Sequence, residues 1–518
     1  MTNLSTYAGV GGLLVALFIY FRKPKASTAS LPPGPQRYPL LGNIANLTAK
    51  ELWLPATRWA KQFGDVVHLD VFGAVHLIFL NSPESAMDLL DKRGSIYSDK
   101  PQFLMTGELC GCKNMVAFTG YNDQSKRQRK LMHKAFAPTC IPAYYPLIEN
   151  ETYEYLRKLI SEPADYMRHI RRYAGSLTLS VVYGYQVSSN NDPYLGLAEE
   201  CVDILANEIA SGGGIWPVDI FPSLQHLPTW FPGAGFKLKA ARWKAKMEEW
   251  VDKPYEFLKN GMKTGQYKHS FCSMLLEDEA GVKASPEFEY DLKWTANSMY
   301  GASMDTSIAT ITHFFLAIIQ HPEVLAKAQR EIDAVVGSDR LPTFEDRDSL
   351  PYIDAVLQET WRWGVPLPLS LPHRLMEDDV YRGMLIPKGS LIFGNIWAIM
   401  HDEEIYPDSY TFNPDRFLTK VDADTERKRN PRNYVFGFGR RLCPGRHLVD
   451  SSLWLLIACM IATLDISKAV DEQGNTIEPD VQFENPIFRS PTKFPCDFRP
   501  RSEKALALIK QSELPTSL

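Results

Sequence analysis

The sequence of 518 residues contains no internal linker, repeat or low-complexity tract, although its length alone would suggest about three domains. Its eight cysteines lack the paired spacing of zinc fingers, and Cys110-Gly111-Cys112 is too closely spaced for such a pair. They are typical of reduced thiols in a protein facing the cytosol. The net charge of −5 gives no reason to expect a nucleic-acid partner. With 45% hydrophobic and 12% aromatic residues, the chain can bury a large core.

Cys443 stands out among the cysteines because it lies in a stretch rich in glycine and arginine, residues 436–446. Three glycines of this stretch permit positive φ and a close approach of the backbone to a flat ligand; they are Gly437, Gly439 and Gly445. Residues 447–464 are mostly apolar and predict a buried helix. Cys443 would then lie near a helix N-terminus, where the dipole and free N–H groups favour the metal-ligating thiolate.

The stretch fits the pattern F-x-x-G-x-R-x-C-x-G at Phe436, Gly439, Arg441, Cys443 and Gly445. This pattern closely resembles the heme-binding loop of the cytochrome P-450 family, and the resemblance extends over roughly residues 30–500. It implies a mainly α heme domain with a smaller β region. It also implies that Cys443 is the axial thiolate of heme b. Arg441 would hold a heme propionate, and Phe436 and Gly445 would also contact the cofactor.

The N-terminus predicts a transmembrane anchor over residues 1–22. Residues 1–21 are uncharged, and Arg22, Lys23 and Lys25 follow the apolar run. That run of roughly 15–18 residues is at the short end for a membrane span, and a cleaved secretory signal is the competing interpretation. Positive charges after the run favour a single-pass anchor in the endoplasmic reticulum with the catalytic domain cytosolic. Asn3 begins a glycosylation sequon, which would lie on the non-cytosolic side of the membrane.

A proline-rich hinge is predicted at residues 23–42, because prolines stiffen an extended segment. Residues 66–72 and 75–80 predict a β-hairpin, and a helix follows over about 83–92. Residues 100–118 read as a loop that, by the resemblance, would contact substrate. Two aromatic segments at 216–222 and 227–233 suggest either membrane contact or core packing, and both interpretations remain open.

A helix with several basic residues carries Arg129, which the resemblance makes a partner for a heme propionate. The family usually has a tryptophan four residues earlier, whereas this chain has Ser125. Exposed basic residues of the helix, such as Lys126 and Lys130, would suit an acidic redox partner.

A long apolar helix over residues 292–320 contains Ala302-Ser303-Met304-Asp305-Thr306-Ser307. A mid-helix Asp-Thr pair in apolar surroundings is costly unless it is solvated or functional. The segment resembles the oxygen-binding motif of the family, except that Ser303 replaces the usual glycine. The resemblance makes Asp305 and Thr306 the catalytic residues that relay protons during oxygen activation.

The helix predicted over residues 350–363 carries Glu359 and Arg362 on one face. With Arg416 they would form the structural triad of the family behind the heme, where a buried carboxylate needs close pairing with cations. Residues 365–369 would line the pocket. Arg374 would meet a propionate, and the neighbouring His373 is the less favoured alternative.

The sequence thus predicts a cytochrome P-450 heme catalytic domain over residues 43–505, behind the anchor and hinge. It would insert one oxygen atom from O2 into a lipophilic secondary metabolite, with terpenoids favoured over polyketides or indoles. Electrons would come from NADPH through a membrane-bound cytochrome reductase, because the sequence shows no flavin or nicotinamide domain. Two alternatives stay open, an electron-independent heme-thiolate isomerase or dehydratase and a non-catalytic heme sensor or carrier.

Overall fold

A computed structural model describes residues 29–48, 50–210, 216–278, 285–483 and 487–511. The predicted anchor at residues 1–22 and the first six hinge residues lie outside this part of the chain. Within it, two helices are long and apolar enough to cross a membrane, Pro286–Gln320 and Arg446–Thr463. About three quarters of the most apolar window of each helix is buried inside the protein, 78% and 72% respectively, as in the core helices of a globular domain.

The protein is mainly helical with a smaller β region, which confirms the predicted fold class. The α-helices in the described residues are α1 Trp53–Phe63, α2 Pro83–Ala86, α3 Gly94–Tyr97, α4 Asp123–Phe136, α5 Tyr145–Ser161, α6 Tyr166–Tyr183, α7 Pro193–Asp203, α8 Pro217–Ile220, α9 Gly235–Thr264, α10 Phe271–Asp278, α11 Pro286–Gln320, α12 Pro322–Val335, α13 Pro351–Gly364, α14 Ile396–Met400, α15 Ala423–Arg429, α16 Arg446–Thr463 and α17 Glu503–Gln511. The strands are β1 Val66–Val71, β2 Val75–Leu80, β3 His373–Arg374, β4 Asp379–Tyr381, β5 Met384–Ile386, β6 Leu391–Gly394, β7 Leu464–Lys468 and β8 Cys496–Pro500.

Local sequence signals explain where several helices begin and end. The side chains of Ser82, Asn122 and Ser285 accept hydrogen bonds from backbone N–H groups in the first turns of α2, α4 and α11. At the other end, Gly184 follows α6 with a φ of 69°, and Gly265 follows α9 with a φ of 73°. This left-handed conformation favours glycine and stops each helix.

The largest sheet has the strand order β1-β2-β6-β3. β1 and β2 form the predicted antiparallel hairpin, in which Val66 pairs with Leu80 and Val71 with Val75. β6 then pairs in parallel with β2, and β3 pairs antiparallel with β6. The sheet therefore brings β6 next to a hairpin that lies about 300 positions earlier in the chain, and residues 373–374 lie on the far side of β6.

Short helical turns occur in the segment predicted to be a loop and in the first aromatic segment. Residues 100–118 include a π-helical turn, Leu104–Leu109, and a 3-10 turn, Cys112–Asn114. The first aromatic segment contains α8 and is followed by a 3-10 turn, Pro222–His226. Such turns of three to six residues are too short to show a helical period in the sequence. The loop prediction for residues 100–118 was wrong at Leu104–Leu109 and Cys112–Asn114 for this reason.

The core is organised around α11, which packs against α4, α6 and α13. Residues 307–319 of α11 are all buried, as is most of α16. A second apolar cluster fills the space between the largest sheet and α14. The middle of α11 and the loop that ends at α16 share the largest apolar cluster, since Met304 belongs to it and Phe436 packs against it.

Candidate functional site

The cysteine loop closes on itself just before α16. The Cys443 N–H donates to the Phe436 carbonyl oxygen at 2.8 Å. Gly437 and Gly439 have φ values of +78° and +51°, as predicted, whereas Gly445 has a φ of −82° and does not use that freedom. Two of the three glycines therefore use the positive φ that the sequence permits.

Glycines 439 and 445 serve the loop in different ways. A Cβ atom on Gly439 would lie 2.3 Å from the Leu90 carbonyl oxygen, so the absence of a side chain lets the loop pack against Met87–Lys92. A Cβ atom on Gly445 would meet no heavy atom within 4 Å. The space beside Gly445 is thus open next to Cys443.

The Cys443 thiol experiences opposing influences at the start of α16. Burial raises its pKa, and the backbone N–H groups of Gly445 and Arg446, together with the Arg129 guanidinium, act in the opposite direction. These groups favour the thiolate form of Cys443, and a metal cation bound to the sulfur would favour it further. Below the loop, the Phe436 ring packs edge-on against Trp361 with centroids 5.3 Å apart.

Arginine side chains connect the cysteine loop to two other segments. Arg441 donates to the carbonyl oxygens of Ser98 at 2.8 Å and Thr119 at 2.9 Å. Arg129, on α4, donates to the Leu442 carbonyl oxygen at 2.7 Å. Burial lowers the pKa of both guanidinium groups, that of Arg441 to about 10, and Arg129 lowers the pKa of Arg441 further.

Lys100 joins this group of cations, and sequence reasoning missed it. Its ammonium group donates to the carbonyl oxygens of Leu371 and Pro372 at 3.0 and 3.2 Å. Burial lowers its pKa well below the usual range, and the charges of Arg441 and Arg129 add to that effect. The only sequence signal for this buried cation was that it follows Asp99 in a stretch with few charged residues.

His373 and Arg374 occupy opposite faces of β3. The Arg374 guanidinium is paired with the Asp99 carboxylate at 2.6 Å and is 40% exposed. His373 is buried, its Nδ1 lies 2.7 Å from the Tyr97 carbonyl oxygen, and burial together with Lys100 lowers its pKa well below the usual range. Of the two residues, His373 rather than Arg374 lies within the buried cation group.

One face of α11 forms the other side of the site. Ser298, Ala302 and Thr306 are spaced four residues apart and so share a face of the helix. The Val116 N–H donates to the Ser298 hydroxyl at 2.9 Å, and the Val116 carbonyl oxygen also accepts from Arg441 at 3.4 Å. The segment before α4 therefore runs from the cysteine loop to the α11 face that carries Thr306.

The predicted proton-relay residues differ in their surroundings. The Thr306 hydroxyl donates to the Ala302 carbonyl oxygen at 3.1 Å and lies on an exposed part of the helix. Burial raises the pKa of Asp305 to about 6; Arg171 lowers it, while Asp203 and Glu199 raise it. A carboxyl group with such a pKa can both hold and release a proton near neutral pH.

Both departures from the family pattern have a local explanation. The Ser303 hydroxyl donates to the Tyr300 carbonyl oxygen at 2.9 Å and accepts from Thr178 of α6 at 2.7 Å. Ser125 is buried and forms a reciprocal capping box with Asn122 at the start of α4. Ser303 thus fastens two core helices, and Ser125 fixes the start of the helix that carries Arg129.

Glu359, Arg362 and Arg416 come together in the buried layer behind the cysteine loop. The Arg362 guanidinium donates to both Glu359 carboxylate oxygens at 2.7 and 2.8 Å, and Arg416 donates to one of them at 3.1 Å. Arg362 also donates to the carbonyl oxygens of Met400 and Ser409. This one residue therefore links α13 to α14 and to the chain leading into the cysteine loop.

A heme fits these residues. The Cys443 side chain has open space beside Gly445, and the lowered pKa values of Arg129, Arg441 and Lys100 mark buried cations that two propionates would neutralise. Asp99 lies beside them but is bonded to Arg374 and to the Tyr121 N–H. In the described part of the chain, no group of three His, Cys, Asp or Glu side chains lies together in a way that could hold a metal ion.

Comparison with known proteins gives consistent matches along nearly the whole chain. The family model described as cytochrome P-450 matches residues 32–488. The chain is 41% identical to cytochrome P-450 monooxygenase claT of Ampulloclitocybe clavipes, over 96% of this chain and 97% of the relative. It is 38% identical to cytochrome P-450 monooxygenase 176 of Postia placenta, over 98% of each chain, and 40% identical to claR of A. clavipes, over 93% and 88%.

Proposed function

Because this chain belongs to the cytochrome P-450 family and is a heme-thiolate monooxygenase, we propose that it oxidises a lipophilic secondary metabolite with electrons from NADPH. One oxygen atom of O2 enters the substrate and the other leaves as water. The observation that supports the proposal is the set of bonds around the cysteine loop: Arg129 donates to Leu442, and Val116 bonds both to Arg441 and to Ser298 on the α11 face that bears Thr306.

The residues of the cysteine loop hold the cofactor in this proposal. Cys443 would supply a thiolate ligand to the heme iron, and Arg129, Arg441, Lys100 and His373 would hold the propionates. Arg374 contributes through Asp99, whose carboxylate it holds beside Lys100. Phe436 and Gly445 would contact the cofactor from below. Thiolate-ligated heme supplies oxygen activation, since electron donation from the sulfur favours O–O cleavage.

In this proposal, two side chains of α11 take up protons and transfer them. The Asp305 carboxyl, whose pKa is about 6, takes up protons from the side of α6 and α7. The charges of Arg171 and Glu199, on those two helices, shift that pKa. The Thr306 hydroxyl, one residue further along, lies on the exposed face and passes them towards the oxygen site. Glu359, Arg362 and Arg416 take no part in the chemistry and hold the layer beneath the cysteine loop.

The reduced carbon monoxide spectrum tests the metal assignment. We expect the wild type to show the red-shifted Soret band of thiolate ligation and Cys443→Ala to lose it. Cys459→Ala is the matched control, because Cys459 is a buried thiol within α16 whose partner is the Pro342 carbonyl oxygen. A wild-type spectrum typical of histidine ligation would refute the assignment.

A partner reductase is proposed because basic residues of α4 lie next to the cysteine loop. Lys126 is 60% exposed on the helix whose Arg129 reaches Leu442. We expect product only when NADPH and a cytochrome reductase are added together. Substrate turnover without NADPH would instead indicate the isomerase or dehydratase, and heme binding without reductase-dependent oxygen consumption would indicate a carrier or sensor.

Membrane attachment is proposed to involve two surfaces besides the anchor. Leu40 and Trp230 are 73% and 79% exposed. Phe72 lies between their segments, since its N–H donates to the Leu41 carbonyl oxygen and its ring is 6.3 Å from that of Phe221. Residues 38–44 and 221–231 therefore present neighbouring apolar side chains to one side of the protein.

This surface is tested with two proteins, the full chain and a form lacking residues 1–22. We expect the full chain to stay with microsomes through an alkaline carbonate wash and the shortened form to bind liposomes weakly. Trp230→Ser in the shortened form should reduce that binding further. Tyr410→Ser is the control, because Tyr410 is also 64% exposed but is distant in sequence from both segments. Full release of the unshortened chain by carbonate would exclude an integral anchor.

The substrate class is proposed from the apolar side chains that surround the site. Leu104, Met105, Met115 and Val116 belong to the segment that joins Arg441 to α11, and residues 365–369 follow α13. Residues 219–233 and 378–383 resemble those of fungal secondary-metabolism members, which favours a terpenoid over a polyketide or an indole. Metabolite profiling of a host that expresses the chain with each precursor class would decide among them.

A further inference from the structure

Two segments that are distant in the chain meet at Asp219, a residue of the short helix α8. One carboxylate oxygen of Asp219 accepts the Met105 N–H at 2.9 Å, across 114 positions of sequence. The other carboxylate oxygen accepts the Trp216 N–H at 2.8 Å, and the Leu104 N–H also bonds to this side chain. A single carboxylate thus binds backbone groups of both segments.

The contact supplies a helix cap that the local sequence lacks. The turn Leu104–Leu109 begins after Phe103, which makes no side-chain capping bond. The first N–H groups of a helical turn have no partner within it and favour a negatively charged acceptor. Asp219 fills that position from another part of the chain. Burial raises its pKa, and the three N–H bonds counteract this by stabilising the carboxylate.

The turn that Asp219 caps belongs to the wall of the proposed substrate site. From Leu109 the chain continues to Val116, which bonds to both Ser298 and Arg441. On the other side, the Trp216 indole N–H donates to the Ile209 carbonyl oxygen at 2.7 Å. This bond connects the start of α8 to the end of the π-helical turn Ile204–Ile209. Asp219 therefore joins the wall to α8 and the residue before it, Trp216.

We propose that Asp219 is a positioning residue that holds these two segments together and thereby limits how fast bulky ligands enter and leave the site. The inference rests on the proposed function, because that function makes the space between Cys443 and α11 a substrate site. Asp219 does not touch the reacting atoms. Its loss should free the turn Leu104–Leu109 while leaving the cysteine loop in place.

Hydrogen–deuterium exchange tests the contact directly in the heme-loaded full chain. N-cap removal changes local opening equilibria by about 2- to 30-fold, so Asp219→Ala should raise exchange by that factor at residues 103–109. Asp219→Asn keeps the shape of the side chain and should give a smaller increase, because an amide has only one acceptor oxygen. Asp422→Ala is the control, since Asp422 caps only its own helix, α15; it should change exchange only there.

Ligand kinetics test the consequence. Clotrimazole is a bulky probe that binds heme iron, and imidazole is a small one. We expect Asp219→Ala to raise both the association and dissociation rates of clotrimazole severalfold, with an unchanged carbon monoxide spectrum, unchanged imidazole rates and an equilibrium constant within about threefold. Increased exchange with unchanged clotrimazole rates would overturn the gating role. Unchanged exchange would overturn the contact itself. A wild type that binds neither azole would refute the heme assignment, and the exchange result would still decide the contact.

Discussion

Replacing Glu359 with glutamine should be among the most damaging single changes in this protein. Its carboxylate lies between two guanidinium groups, and the side chains of Glu359 and Arg362 are 0% exposed while that of Arg416 is 5% exposed. The carboxylate also accepts the Asn413 N–H at 2.8 Å. Glu359→Gln keeps the volume of the side chain but leaves two buried cations without their counter-charge.

The expected cost follows from that burial. Removing one partner of a buried ion pair typically costs about 3–5 kcal/mol, whereas the total stability of a protein is about 5–15 kcal/mol. The change therefore removes a large part of the free energy of unfolding. Because Arg362 also holds the carbonyl oxygens of Met400 and Ser409, the loss should spread to the chain beneath the cysteine loop.

Urea unfolding and heme content measure this effect together. We expect Glu359→Gln to unfold at much lower urea than the wild type and to retain little heme. Asp424→Asn is the matched control, because Asp424 pairs with Arg427 at the same i,i+3 spacing but both side chains are more than half exposed. Exposed pairs contribute about 0–1 kcal/mol. Similar unfolding free energies for the two variants would refute the reasoning from burial.

Three further predictions concern the oxygen side and the cysteine loop. Thr306→Val should maintain NADPH use while diverting electrons to hydrogen peroxide, with product loss of at most about 10²–10⁴-fold; Thr310→Val, one turn further on, should leave coupling unchanged. The pKa of Asp305 is raised to about 6, so its contribution to stability falls as pH rises from about 4 to 6. Asp305→Asn should therefore gain unfolding free energy over the wild type in that interval, as measured by urea titrations at several pH values; a constant difference would contradict the raised pKa. Gly439→Ala should reduce the carbon monoxide band far more than Gly437→Ala, because both have positive φ but only Gly439 lies against Leu90; equal losses would contradict the packing argument.

The sequence predicted α13 and α16 to within one residue at each end because each follows a clear apolar pattern, but it did not predict the 30-residue helix α9. The predicted helix at 350–363 and the observed Pro351–Gly364 differ by one residue at each end. Spacing on one helix permits Glu359 to pair with Arg362, but the position of the pair ahead of residues 412–417 and the cysteine loop singled it out. Arg416, however, lies 57 positions from Glu359, and only the resemblance to a family connected them.

Contacts between distant segments were beyond sequence reasoning. Lys100 reaches Leu371 across 271 positions, and neither residue carries a pattern that points to the other. The choice between His373 and Arg374 as the propionate partner stays a prediction, and the faces that these two side chains occupy were not predictable for a related reason. Alternation along a strand decides which side chain faces inward, but a strand of two residues shows no period, so only its pairing with β6 fixes the faces.

Ser303 shows how a departure from a family motif can leave the chemistry intact. A serine at this position raises the hypothesis that its hydroxyl holds a water that substitutes for Thr306. In the structure, that hydroxyl already donates its proton to the Tyr300 carbonyl oxygen and accepts from Thr178. It has no second proton to give, and Thr178 can turn to the Ala174 carbonyl oxygen if Ser303 becomes glycine. Ser303 therefore belongs to the packing of α11 on α6, and we expect Thr306→Val to lose coupling equally with serine or glycine at position 303.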